Sequence, residues 1–220
     1  MAAGKEINRR PLLILGTRSL AEEVADVVSE IPGVRVAGFV ENLDRSRCET
    51  PIGGLPVHWI DDLAALALTH AAICGIATTE RSRFTEQVDV LGMPFATLVH
   101  PTAHVSDSTE LMPGTFVGAG VIIASHTRLE AHVFVNRGVL VGHHTRIGSF
   151  ATIQPGANIA GACDIGAATY IGMGAVIIDH IKVGSHSVIG AGAAVIENIP
   201  DHVLAVGVPA KIVKKNIKGK

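Results

Sequence analysis

The chain has 220 residues and a formal charge of −2, and it is 48% apolar but only 4% aromatic. That balance excludes the broad basic field of a nucleic-acid binder, and a core short of aromatic rings must be filled by Val, Ile, Leu and Ala, which suits a narrow, regularly layered interior. Cys48, Cys74 and Cys163 are too few and too scattered for a disulfide framework or a zinc knuckle, and no apolar run reaches the length of a signal segment or a spanning helix; the expectation is a cytoplasmic protein with neither a nucleic-acid nor a membrane partner.

After a polar, charged start, residues 11–16 (PLLILG) read as a short buried strand. Residues 19–31 carry helical spacing with Ser19 as N-cap, and residues 34–40 (VRVAGFV) read as a second strand. A short helix over 60–68, a strand over 71–77 (AAICGIA), a helix over 79–91 and a strand over 94–98 follow. The alternation predicts an α/β, Rossmann-like βαβαβ domain over 1–97 with a parallel sheet.

From Val99 onward the rule changes. Every sixth residue, from Val99 through Val105, Leu111 and Val117 to Ile189 and Val195, is Val, Ile or Leu, seventeen times without a miss; the other 85 residues of 99–200 hold only eleven of these types. Gly often follows the aliphatic position, as at Gly118, Gly142, Gly148 and Gly166, and a small or β-branched residue comes four after it. Six residues fit a short strand and a corner, and three such units close a triangular coil of about eighteen residues with the aliphatic side chains stacked inside. Gly is read as easing the corner dihedrals. The β-helix is expected over 98–200, and 201–220 as a terminal turn and tail.

The uninterrupted array, the segment VHPTA (99–103), the run VGHHTRIGSF (141–150) and the ending AVGVPAK (205–211) resemble the hexapeptide-repeat acyltransferases, in particular the bacterial nucleotide-sugar N-acetyltransferases and sialic acid O-acetyltransferases. The resemblance implies left-handed coils, a homotrimer with its sites between neighbouring prisms, acetyl-CoA as acyl donor without a metal, and a nucleotide-linked amino sugar as the small-molecule acceptor.

Acyl transfer from a thioester needs a neutral nucleophile, a group to take its proton, and donors for the oxygen that becomes negative. The family's base falls on His143, which also lies two residues past the inward Val141, at a corner where a side chain leaves the coil. The family's carbonyl-facing glycine falls on Gly161, eighteen residues on; the spacing alone allows equally that Gly161 only relieves a tight corner. Where relatives follow the base with Asp or Glu, this chain has His144, and where several carry a second histidine for the CoA thioester it has Thr152. Gly207 and Lys211 are the expected CoA contacts after the last coil, whereas Lys214 and Lys215 read as solvated charge.

The acceptor end departs further from the family. Its Gly-rich first turn is here Gly16-Thr17-Arg18-Ser19-Leu20, and a later Gly- and Asn-rich segment is Ala77-Thr78-Thr79-Glu80-Arg81. Gly16, Arg18 and Ser19 are expected to hold a phosphate at the helix start, and Glu41 or Asn42 a ribose or base. The leading expectation is N-acetylation of a nucleotide-linked 4-amino sugar for surface glycan synthesis. O-acetylation of a sugar and acylation of another small amine are the near alternatives. A carbonic-anhydrase-like metal hydrolyase, drawn from the column His126, His144 and His180 but lacking the usual third ligand, and a non-catalytic scaffold are the distant ones.

Overall fold

The computed structural model describes residues 10–220; residues 1–9, where the expected first domain begins, lie outside the described residues. The chain forms two compact units, one running to Ala77 and taking in Arg81–His100, the other comprising Thr78–Glu80 and Pro101–Lys220.

The first unit contains β1 (Leu12–Leu15), α1 (Ser19–Ser29), β2 (Val36–Glu41), β3 (Val57–Trp59), β4 (Ala71–Cys74) and α2 (Ser82–Val90). All pairings are parallel, in the order β3-β2-β1-β4. The chain steps outward from β1 to β3 and returns to lay β4 on the far side of β1, so the order reverses beside β1. Leu13, Leu15, Val40, Leu63, Phe84 and Val88 meet in its core.

Several sequence-based boundaries shift. β3 was not foreseen, because three residues between Pro56 and a helical turn give no readable alternation. The helix expected at 60–68 is a 3-10 segment, Ile60–Ala65, and the one at 79–91 begins as a 3-10 turn, Thr79–Arg81, before α2. The strand expected at 94–98 reduces to one bridge, Ala72 to Phe95, with β5 (Leu98–Val99) following. Arg18, not Ser19, takes the N-cap position of α1, in extended conformation and without a side-chain cap bond.

In the second unit, two-residue strands β6 (His104–Val105) to β21 (Ala194–Val195) recur every six residues, and every one before the last coil pairs in parallel with the strand one coil on, as in Leu140 with Asn158 and Arg146 with Asp164. The result is a three-sided parallel β-helix with sheets of five, six and eight strands. The aliphatic residue of each beat is no more than 2% exposed from Val117 to Val195, whereas Val99, Val105 and Leu111 are half-buried at the end of the stack. The expected terminal tail is instead a hairpin: β22 (Val203–Val206) extends the eight-stranded sheet and β23 (Lys211–Lys215) folds back antiparallel on it.

Two faces of the prism differ in chemistry. The five-stranded face carries an ion-pair ladder through Glu110, Arg128, Glu130, Arg146 and Asp164. The six-stranded face leaves Ile122, Leu140, Val176, Ile178 and Ile196 between 40% and 48% exposed.

The corners correct one expectation. The glycine after each aliphatic residue does not supply the unusual dihedral. It is required because the next coil lies against it: a Cβ on Gly148 would come 2.6 Å from the amide nitrogen of Ala167. Positive φ falls two residues later, on Gly138 and Gly156 along one edge but on histidines and others along the remaining edges: His126 (56°), His144 (55°) and His180 (60°), His132, Phe150 and His186. Histidine tolerates that region better than most residues, so much of the chain's histidine content is corner-forming.

Candidate functional site

His143 stands on the edge between the six- and five-stranded faces, the last residue of the coil's straight run before His144 turns the corner at positive φ. Both side chains are exposed. Their Nδ1 atoms lie 3.1 Å apart, and the rings meet edge to face with centroids 5.3 Å apart. One Nδ1 donates and the other accepts. When His144 accepts, His143 carries its proton on Nδ1 and keeps the Nε2 lone pair free to take another. The neighbouring imidazole thus supplies orientation where a carboxylate would also have supplied negative charge.

Gly161 lies directly one coil along. A Cβ there would fall 2.7 Å from Cε1 and 2.8 Å from Nε2 of His143, so the imidazole occupies the space that the missing side chain leaves. Any larger residue at 161 would push the ring away. A Cβ on Gly142 would in turn collide with the Gly161 amide nitrogen, so two glycines keep this corner open around one imidazole and one N–H. Among the described residues, the Gly161 N–H has no acceptor. A basic ring nitrogen beside an open amide donor is what attack on a thioester carbonyl calls for.

The column of histidines continues by stacking. The rings of His126 and His144 pack tilted with centroids 4.8 Å apart, while Ala162 separates His144 from His180. Among the described residues no group of three or more His, Cys, Asp or Glu is placed to share a metal.

The other expected contacts lie elsewhere. Thr152 is on the eight-stranded sheet, between the Phe134 and Tyr170 rungs, and is fully buried, so as it stands it presents no surface to a thioester. Gly207 (φ 98°) and Lys211 belong to the hairpin that ends that same sheet; Lys211 is exposed and 3.7 Å from Glu197.

In the first unit, Gly16 (φ 111°) ends β1 and Glu41 ends β2, adjacent strands whose carboxyl ends face the same way. Arg18 and Ser19 are exposed at the start of α1. Glu41 behaves differently from expectation. One carboxylate oxygen accepts from the Thr17 hydroxyl, the other from the N–H groups of Asn42 (2.9 Å), Leu43 (2.8 Å) and Asp44, and Arg47 lies 3.5 Å away. Burial pushes its carboxyl up, but the Thr17 and backbone bonds outweigh this and hold it below the usual carboxylate value. The group braces the turn and has little capacity left for a ribose. Arg47 also donates to the Thr17 hydroxyl at 2.8 Å, so Thr17 and Arg47, which no sequence motif marks, fix the first turn. Asn42 bonds Gln87 at 2.8 Å.

No family model and no curated protein sequence matches the chain. Solved structures do. Perosamine N-acetyltransferase from Caulobacter crescentus, determined with CoA and GDP-perosamine, is 28% identical over 93% of this chain and 97% of that one, with a TM-score of 0.84. Two variants of it in which a histidine is replaced, by Asn or by Ala, each have a TM-score of 0.86. The acetyltransferase domain of PglB from Neisseria gonorrhoeae, in complex with acetyl coenzyme A, is 29% identical over 93% and 99% of the two chains, TM-score 0.83. WeeI from Acinetobacter baumannii, 24% identical over 92% and 99% with a TM-score of 0.83, shares the fold. The resemblance to hexapeptide-repeat nucleotide-amino-sugar acetyltransferases read from the six-residue beat is thereby borne out.

Proposed function

We propose that this chain is an acetyl-CoA-dependent N-acetyltransferase acting on a nucleotide-linked amino sugar. The single observation that carries the reading is the His143 imidazole seated on Gly161 at an open corner, in a chain that matches such an enzyme over nearly the whole length of both. Nε2 of His143 takes a proton from the acceptor amine as its nitrogen bonds to the thioester carbon. The carbonyl oxygen gathers negative charge against the Gly161 N–H. The C–S bond then breaks, and the CoA thiolate leaves with the proton that His143 took up.

The working unit is a left-handed β-helix homotrimer. Its support is the exposed apolar face beside the His143 corner, together with the position of Gly207 and Lys211 on a different sheet, so that a second copy would bring CoA contacts to the first copy's base. Gly207 shapes the turn and Lys211 meets a CoA phosphate. The first unit is a Rossmann-like acceptor domain: Gly16, Arg18 and Ser19 lie at strand carboxyl ends where such sheets receive a phosphate, with Asn42 near the ribose. A cytoplasmic location agrees with free thiols at Cys48, Cys74 and Cys163 and with the absence, among the described residues, of a helix long and apolar enough to cross a membrane.

The test is mass analysis of products after incubation with acetyl-CoA and a panel of GDP- and UDP-linked 4-amino sugars, each beside its 4-hydroxy counterpart. Acetylation of an amino sugar and not of its hydroxy partner is expected. Acetylation of the hydroxy sugars alone, or of none, overturns the reading.

A further inference from the structure

Behind the corner that carries His143, the inward side chains form a polar ladder. Thr109, Thr127, Thr145 and Cys163 occupy equivalent places in successive coils, and each donates to a carbonyl oxygen fifteen residues on: Ala124 (3.2 Å), Gly142 (2.9 Å), Ala160 (3.1 Å) and Ile178 (3.1 Å). Along the edge between the eight- and six-stranded faces the same places hold Val121, Val139, Ala157 and Ala175, which donate nothing. Coil closure therefore does not require a hydroxyl; the edge bearing His143 has one at each rung up to Cys163.

The rung at Thr145 has a particular consequence. Its hydroxyl, on a residue 1% exposed, holds the Ala160 carbonyl oxygen inward. That carbonyl and the Gly161 N–H belong to one planar trans peptide and point in opposite directions, so fixing the oxygen inside aims the N–H out at the corner. A carbonyl that accepts a bond also strengthens the donor at the far end of its peptide. On another edge the equivalent N–H is consumed by a side chain: Ala167 donates to Ser185 Oγ (3.2 Å) and Ser185 to Asp201 Oδ1 (2.7 Å). Along the edge bearing His143 it is open at Ser125, His143 and Gly161 alike, and only at Gly161 does it lie beside the His143 ring with no side chain of its own in the way.

We propose that Thr145 is a positioning residue for acyl transfer, orienting the Ala160–Gly161 peptide so that the Gly161 N–H meets the thioester oxygen. This rests on the reading of His143 and Gly161 as the acyl site. The alternative is that the ladder only stabilises the coil, and Thr169, which donates to the Gly184 carbonyl at 2.7 Å on another edge, is the matched control.

The experiment compares Thr145→Val, Thr145→Ser and Thr169→Val in the full chain. It measures thermal midpoint, steady-state transfer from acetyl-CoA to GDP-perosamine, and the infrared stretch of an isotope-labelled thioester carbonyl in bound acetyl-CoA, a readout that needs no acceptor. Thr145→Ala, which copies the side chain found at Ala157, stands in if the valine fails to fold. Loss of the Thr145 hydroxyl is expected to lower kcat about tenfold with KM for acetyl-CoA nearly unchanged, and to move the carbonyl stretch back toward that of free acetyl-CoA. Thr145→Ser retains both properties, and Thr169→Val loses comparable stability at full kcat. An unchanged carbonyl stretch in Thr145→Val, or an equal kcat loss in Thr169→Val, overturns the proposal. If His143→Ala is inactive while Thr145→Val is not, only the positioning role fails; if wild-type protein leaves the carbonyl stretch of acetyl-CoA where it is in water, the site itself fails.

Discussion

In the β-helix a residue's place follows from its position in a six-residue beat, whereas in the sheet unit it follows from the particular turn that holds it. The two units accordingly treat polar groups in opposite ways. The beat puts His143 on a solvent-facing corner where almost nothing structural depends on its side chain, and Ser125 fills the same place one coil earlier. The turn after β2 buries Glu41 and spends both its oxygens on neighbours. In the first case the side chain is free for chemistry at little cost to stability; in the second it is committed to holding the turn.

Replacing His143 by Ala sharpens that contrast most. Transfer should fall by roughly 10²–10⁴-fold with the thermal midpoint unchanged, checked by steady-state kinetics and calorimetry on the same preparation. A matching loss of stability would break the separation. Inside the same prism the reverse is expected: Ile153→Ala, at a position with no exposed surface, should cost about 2–5 kcal/mol by denaturant unfolding and act on activity only through the folded fraction.

Glu41 tests the other side. Because its carboxyl is held below the ordinary value of 4.5, its contribution is fully present above that pH and disappears as pH falls through the depressed folded value. Glu41→Gln should therefore destabilise the chain by about 1–3 kcal/mol near neutrality, and the gap to wild type should close in acid. A gap constant with pH would mean that the ionised form is not what braces the turn. The smallest effect belongs to the surface ladder, where Arg146→Ala should cost less than about 1 kcal/mol and nothing measurable at high salt.

The same contrast decides what could be read in advance. The period, the inward residues and the His143–Gly161 pairing one coil apart were all legible, because a lattice turns spacing into position. Within the array His126, His132, His144, His180 and His186 fall on the corner position of positive φ, His100 and His104 stand next to an inward aliphatic residue, and only His143 falls on the place just before a corner. The polar ladder under that corner was written at Thr109, Thr127 and Thr145 in the same way. In the sheet unit no such rule exists. Glu41 or Asn42 is the expected ribose or base contact because a carboxylate or amide at a strand's end looks available in the sequence, which does not reveal that Thr17 and three backbone N–H groups close on the Glu41 carboxylate. β3 is not legible because three residues carry no period.

The proposed activity requires thioester chemistry at the corner shared by His143 and Gly161. A crystal structure with acetyl-CoA is the decisive measurement. The thioester oxygen is predicted within hydrogen-bonding distance of the Gly161 N–H with the His143 ring alongside; an ordered acetyl group held at any other edge of the prism would contradict it.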